Sequence, residues 1–108
     1  MQRIAQIVRL KPEKAEEYKR LHEAVWPDVL DRIRKCHIRN YSIHWQGDLL
    51  FAYFEYHGTD FDADMAAMAA DGPTQEWWKL TDPCQDPVDG AAPGELWTRA
   101  EQVFLMEE

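Results

Sequence analysis

The chain is expected to fold as one α+β domain, a split βαβ with a four-stranded antiparallel sheet and its helices on one face. Three observations lead there. The apolar pattern changes period in the order strand, helix, strand, strand, helix, strand. Gln46-Gly47-Asp48 separates two runs of β character and reads as a hairpin turn. A length of 108 residues with 45% hydrophobic content supports a single core and is too short for two, so residues 1–108 form one domain. This order is that of the ferredoxin-like fold.

Arg3 to Leu10 is the first strand, with Ile4, Val8 and Leu10 facing one way and Ala5 and Ile7 the other. Pro12 opens a helix whose early acids, Glu13, Glu16 and Glu17, suit the helix dipole. On that helix Ala15, Tyr18, Leu21, His22, Val25 and Val29 share one arc, because successive residues are about 100° apart. A histidine therefore sits in the apolar face. Pro27 must kink the helix at Trp26 or restart it with Asp28 as cap, and Val29, Leu30 and Ile33 carry it on to about Cys36.

Ile38 to Trp45 is the second strand, placing Tyr41, Ile43 and Trp45 on one face. Leu49 to Tyr56 is the third, apolar on both faces. A sheet with helices on one side ordinarily has one wet face. The apolar second face therefore points to a second copy packed sheet against sheet. Thr59 or Asp60 caps the next helix, which ends near Asp71-Gly72, and Pro73 opens a shorter one carrying Trp77 and Trp78. Asp82 to Gly94, with its prolines and glycines, is expected to be an irregular loop, and Glu95 to Met106 the last strand.

A net charge of −8, with twenty acids against twelve Lys and Arg and no long basic block, argues against a nucleic-acid partner. No apolar run approaches the roughly 18 residues of a membrane span. No long apolar signal core follows Met1-Gln2-Arg3-Ile4, so a cytoplasmic protein is expected. Cys36 and Cys84 are widely separated, which fits free thiols better than zinc or a disulfide framework. His37, His44 and His57 show no metal-ligand spacing, so no metal is expected.

The chemistry-bearing residues are few. His22 in an apolar face is either a core histidine bonded to a backbone carbonyl or a proton-exchanging group lining a cavity. Tyr18, one turn earlier, brings a phenol to the same side, as orienting group or relay. Of the adjacent pair Trp77-Trp78, only one indole can be centred on the core; the other borders it or lines a cavity. A flat aromatic surface beside polar groups suits a sugar. Tyr41 is either structural or a ligand contact. Glu76, Asp82 and Gln85 are further possible partners for hydroxyl groups.

These residues carry a resemblance. Glu17-Tyr18 to His22 to Trp26-Pro27, then Asn40-Tyr41, Leu49-Leu50-Phe51-Ala52, Trp77-Trp78-Lys79 and Glu101-Gln102-Val103-Phe104 resemble the L-rhamnose mutarotase family nearly end to end. The resemblance implies a homodimeric α+β-barrel that interconverts the α and β anomers of a 6-deoxyhexose without metal or organic cofactor. It implies His22 as proton donor, and Tyr18, Tyr41, Trp77 and Trp78 as sugar-binding positions. The chain departs from the family pattern after the tryptophan pair, in Leu80 to Gln85 and Asp89 to Gly94, so L-fucose or another deoxyhexose is open as the sugar beside L-rhamnose. Two other classes share the fold: a cofactorless monooxygenase or haem-handling barrel using His22 as base or axial ligand, and a non-catalytic ligand-binding domain.

Overall fold

Gln2–Leu10 forms β1, the strand on which the sheet is assembled, in the computed structural model, which describes residues 1–107. On one side β1 pairs with β3 (Leu49–Tyr56), which in turn pairs with β2 (Ile38–Gln46). Along its other edge lie two short strands, β4 (Gln85–Asp86) and β5 (Thr98–Ala100), every pairing being antiparallel. The sheet is curled, and its concave face carries the helices.

Strand alternation decides what that face contains. Ile4, Val8 and Leu10 of β1 and Leu50, Ala52, Phe54 and Tyr56 of β3 are buried against the helix layer. Fully burying a large apolar side chain contributes about 1.5–3 kcal/mol, so these two strands account for much of the drive to fold. Ala5 and Ile7 pair with Tyr53 and Phe51 on the opposite face, where Phe51 is 41% exposed.

The first helical segment is broken as Pro27 requires. A 3-10 turn, Pro12–Lys14, leads into α1 (Ala15–Leu21), which tightens into a second 3-10 turn, His22–Ala24. Val25 and Trp26 are extended, and α2 (Pro27–Lys35) restarts with Pro27 at its first position. Trp26 occupies the cap position and Asp28 lies inside the first turn, so the expected Asp28 cap does not form. The proline's missing N–H and fixed φ are suited to the first helical position itself.

Asp60 and Asp71 cap the last two helices, α3 (Phe61–Ala70) and α4 (Gly72–Thr81), by accepting from the N–H groups of Ala63 and Thr74. Arg32 of α2 pairs with Asp71 at 3.3 Å, which ties α2 to the start of α4. That contact sets the two tryptophan-bearing segments side by side.

The C-terminal third departs from expectation. The expected loop contains a 3-10 turn, Asp82–Cys84, and β4, whose Gln85 pairs with Leu10. The expected last strand is confined to Thr98–Ala100. In its register, Ala100 faces Ala5 and Thr98 faces Ile7, so a continuation would bring Leu105 beyond the first residue of β1. Leu96 and Trp97, ahead of β5, pack on the core cluster, whereas Val103 and Phe104 are 88% and 76% exposed. The second strand also has an irregularity between Arg39 and Ser42, with Asn40 at φ +52°.

Candidate active site

Helix α1 ends one residue before His22, and the geometry of that ending fixes the imidazole. The Tyr18 carbonyl, one of the last in the helix, accepts from the His22 backbone N–H and, at 2.8 Å, from the ring Nδ1. A carbonyl only accepts, so Nδ1 carries a proton, and the tautomer this bond selects has its lone pair on Nε2. Among the described residues, Nε2 has no hydrogen-bond partner. The ring is thus bonded to a backbone carbonyl at one nitrogen and unpartnered at the other.

Aromatic rings hold the imidazole on two sides. The Tyr18 ring lies 4.2 Å from it, tilted by 30°, and Trp77 meets it edge-on at 5.5 Å. Trp77 is itself braced edge-on by Trp26 at 5.2 Å. A cavity of about 290 Å³ opens beside His22 between helix layer and sheet. Ala15, Tyr18, Lys19, His22 and Glu23 form its helical wall; Leu10, Ile43, His44, Trp45 and Leu50 form its strand wall.

Burial pushes the Tyr18 hydroxyl well above the ordinary phenol range, and the neighbouring Tyr41 adds to the rise, with the Gln85 amide acting in the opposite sense. Tyr18 is therefore a neutral hydroxyl throughout the physiological range, able to donate or orient and unsuited to act as a base. Burial also raises Tyr41, Asp82 and the thiols of Cys36 and Cys84. Both cysteines are free and buried, which keeps them as packing groups.

The structure brings together Tyr18, His22 and Trp77 from the sequence-derived set. Tyr41 lies on the same concave face, its ring 5.3 Å from Phe54, but does not line the cavity. Trp77 is 5% exposed and Trp78 36%, as the spacing of adjacent helical residues demands, and neither lines the cavity, Trp77 reaching it only through its contact with the His22 ring. Lys19, Glu23 and Trp45 line the cavity without having been singled out. Trp45 shares the face of Tyr41 and Ile43 in the strand alternation, and Lys19 and Glu23 border His22 on the helix; that periodicity was their signal. No cluster of three metal-ligand side chains occurs among the described residues.

The family model described as L-rhamnose mutarotase matches residues 3–106. The chain belongs to the L-rhamnose mutarotase family. An L-rhamnose mutarotase of Listeria monocytogenes serotype 4b is 36% identical over 85 residues, covering 77% of this chain and 79% of that one. An L-fucose mutarotase of Xanthomonas campestris pv. campestris is 32% identical over 114 residues, covering 100% and 90%. Among solved structures, L-rhamnose mutarotase from Formosa agariphila superposes with a TM-score of 0.76 at 22% identity, covering 99% of this chain and all of that one. Tetracenomycin F2 cyclase from Streptomyces glaucescens follows with a TM-score of 0.72 at 14% identity, covering 100% and 99%. These likenesses to solved structures show the α+β-barrel fold. The family match covers the mutarotase landmarks from Tyr18 to Phe104, including His22 and the tryptophan pair.

Proposed function

We propose that this family member is an aldose mutarotase acting on a 6-deoxyhexose, L-rhamnose or L-fucose, with His22 as its proton-transfer group. The observation that carries the reading is the His22 ring, tied at Nδ1 and free at Nε2 beside a cavity of about 290 Å³. That volume is near the lower end for small-molecule sites, about 300 Å³.

The reaction needs a proton removed from the anomeric hydroxyl and one delivered to the ring oxygen. Both oxygens are attached to C1, so one imidazole can serve them in turn. Nε2 accepts the O1 proton, the imidazolium gives it to the ring oxygen, and the C1–O5 bond opens to the aldehyde. Rotation about C1–C2 and the reverse transfers close the other anomer. General acid–base help of this kind is typically worth about 10²–10⁴-fold. Tyr18, held neutral, orients the imidazole through its carbonyl and offers its hydroxyl to the sugar. Tyr41, Trp77 and Trp78 complete the proposed binding set, Trp77 by fixing the His22 ring. No step calls on a metal or an organic cofactor. The family match favours this reading over a cofactorless monooxygenase, a haem-handling protein or a non-catalytic binding domain.

Saturation-transfer NMR on the anomeric protons of L-rhamnose and L-fucose tests it. Accelerated exchange is expected for at least one sugar; exchange no faster than in buffer for both contradicts it.

We also propose that two copies pack through the sheet faces opposite the helices. Ala5, Ile7, Phe51 and Tyr53 supply apolar surface there, and Val103, Phe104 and Met106 supply more beyond the sheet edge. Sedimentation of a dimer is expected, and a monomer at micromolar concentration removes this part. The free thiols suit a reducing compartment, so the proposed location is the cytoplasm.

A further inference from the structure

We propose that Trp45 is the stacking wall of the sugar site, a substrate-binding residue facing His22 across the cavity. This rests on the mutarotase reading and assigns a residue outside the set read from the sequence. Trp45 stands opposite Leu50 in the β2–β3 pairing, on the concave face, and lines the cavity with Ile43 and Leu10. Leu50 is 1% exposed, whereas Trp45 keeps 44% of its surface open. Its position near the hairpin turn brings it to the cavity mouth.

The ring is held before any ligand arrives. Its only polar group, the indole N–H, donates to the Gly47 carbonyl at 2.7 Å. Gly47 has φ +64°, a conformation that favours glycine, and the turn is tied to the central strand by Leu10 N–H donating to the Asp48 carbonyl at 2.8 Å. The indole therefore has no donor left for a sugar hydroxyl, and what it presents is a flat apolar face.

A pyranose has the matching anatomy. Its C–H groups make an apolar face, its hydroxyls form a polar rim, and a 6-deoxy sugar adds a methyl group. Trp45 takes the apolar face, Tyr18 and His22 meet oxygens from the helical wall, and Lys19 and Glu23 border the cavity as its charged side chains. A rigid aromatic wall contributes affinity with little ordering cost on binding.

The test uses anomeric-exchange kinetics of wild type, Trp45→Leu and Trp45→Phe with L-rhamnose and L-fucose. Trp45→Leu retains apolar volume and loses the flat face; its KM is expected to rise about tenfold, with kcat falling by less. Trp45→Phe restores an aromatic face and is expected to recover most of that loss. Circular dichroism confirms that both variants fold. A folded Trp45→Leu with wild-type KM overturns the proposal while leaving the mutarotase reading intact. Equal losses in Leu and Phe variants also overturn it, since they assign the ring to holding the hairpin. A wild type that accelerates neither sugar removes the underlying reading, and this one with it.

Discussion

His22 and His37 each stand beside a tyrosine, in different surroundings. Around His37 the bonds converge on one carboxylate. Its Nδ1 pairs with Asp64 at 3.0 Å; Tyr56 donates its hydroxyl proton to the same carboxylate oxygen and accepts the Asp60 N–H at 3.1 Å. Around His22 too only Nδ1 is engaged, but its partner is a backbone carbonyl and the ring lines a cavity, whereas the His37 side chain is half exposed. The difference between the two rings is one of surroundings, a carboxylate at the surface for His37 and a cavity wall between aromatic rings for His22.

Substitutions can break or sharpen that contrast. The largest effect is expected for His22→Ala, which should lose about 10²–10⁴-fold of the exchange rate at saturating sugar while retaining affinity within about tenfold. His37→Ala should keep the wild-type rate per folded molecule in the same NMR assay.

Next is Gly58→Ala at the Asp64 network. An added Cβ would overlap the Tyr56 hydroxyl and lie 2.7 Å from Asp64 Oδ2, too close to be accommodated without displacing both. Overpacking of this kind typically costs about 1–3 kcal/mol, so thermal denaturation should show a lowered midpoint with unchanged kcat.

Tyr18→Phe should be milder, slowing exchange by about tenfold through loss of one hydrogen bond. Because the Tyr18 hydroxyl is neutral well past pH 9, its removal should leave the shape of the pH–rate profile unaltered between about pH 6 and 9, as followed by exchange NMR.

The smallest effect concerns acid. Tyr56, then His37, hold the Asp64 carboxyl below its ordinary range, and Thr74 chiefly does so for Asp71. With the folded pKa depressed, the unfolded state binds more protons in acid. The stabilisation is complete above about pH 4 and is lost as pH falls through the folded pKa. Asp64→Asn should flatten the acid limb of a stability–pH curve measured by urea denaturation.

Much of this was legible beforehand because it depends on periodicity. The alternation of Ile4, Val8 and Leu10 against Ala5 and Ile7, the single core-centred indole of Trp77-Trp78, and the inward His22 all follow from repeats of two or 3.6 residues. The short β5 was not legible, since its extent depends on pairing with β1 at the far end of the chain, a long-range property. Trp45 escaped for a related reason: periodicity gave its face, but only the hairpin's position beside α1 makes that face a cavity wall. The choice of proton-bearing nitrogen on His22 needed the Tyr18 carbonyl in place.

The most direct measurement follows the His22 imidazole by nitrogen NMR during titration with L-rhamnose or L-fucose, with His22→Ala providing the assignment. The account predicts a ring whose Nδ1 carries a proton, and an Nε2 resonance that moves as sugar binds while the His37 signals stay in place. An Nε2 resonance unmoved at saturating concentrations of a sugar whose anomers the protein interconverts would contradict it.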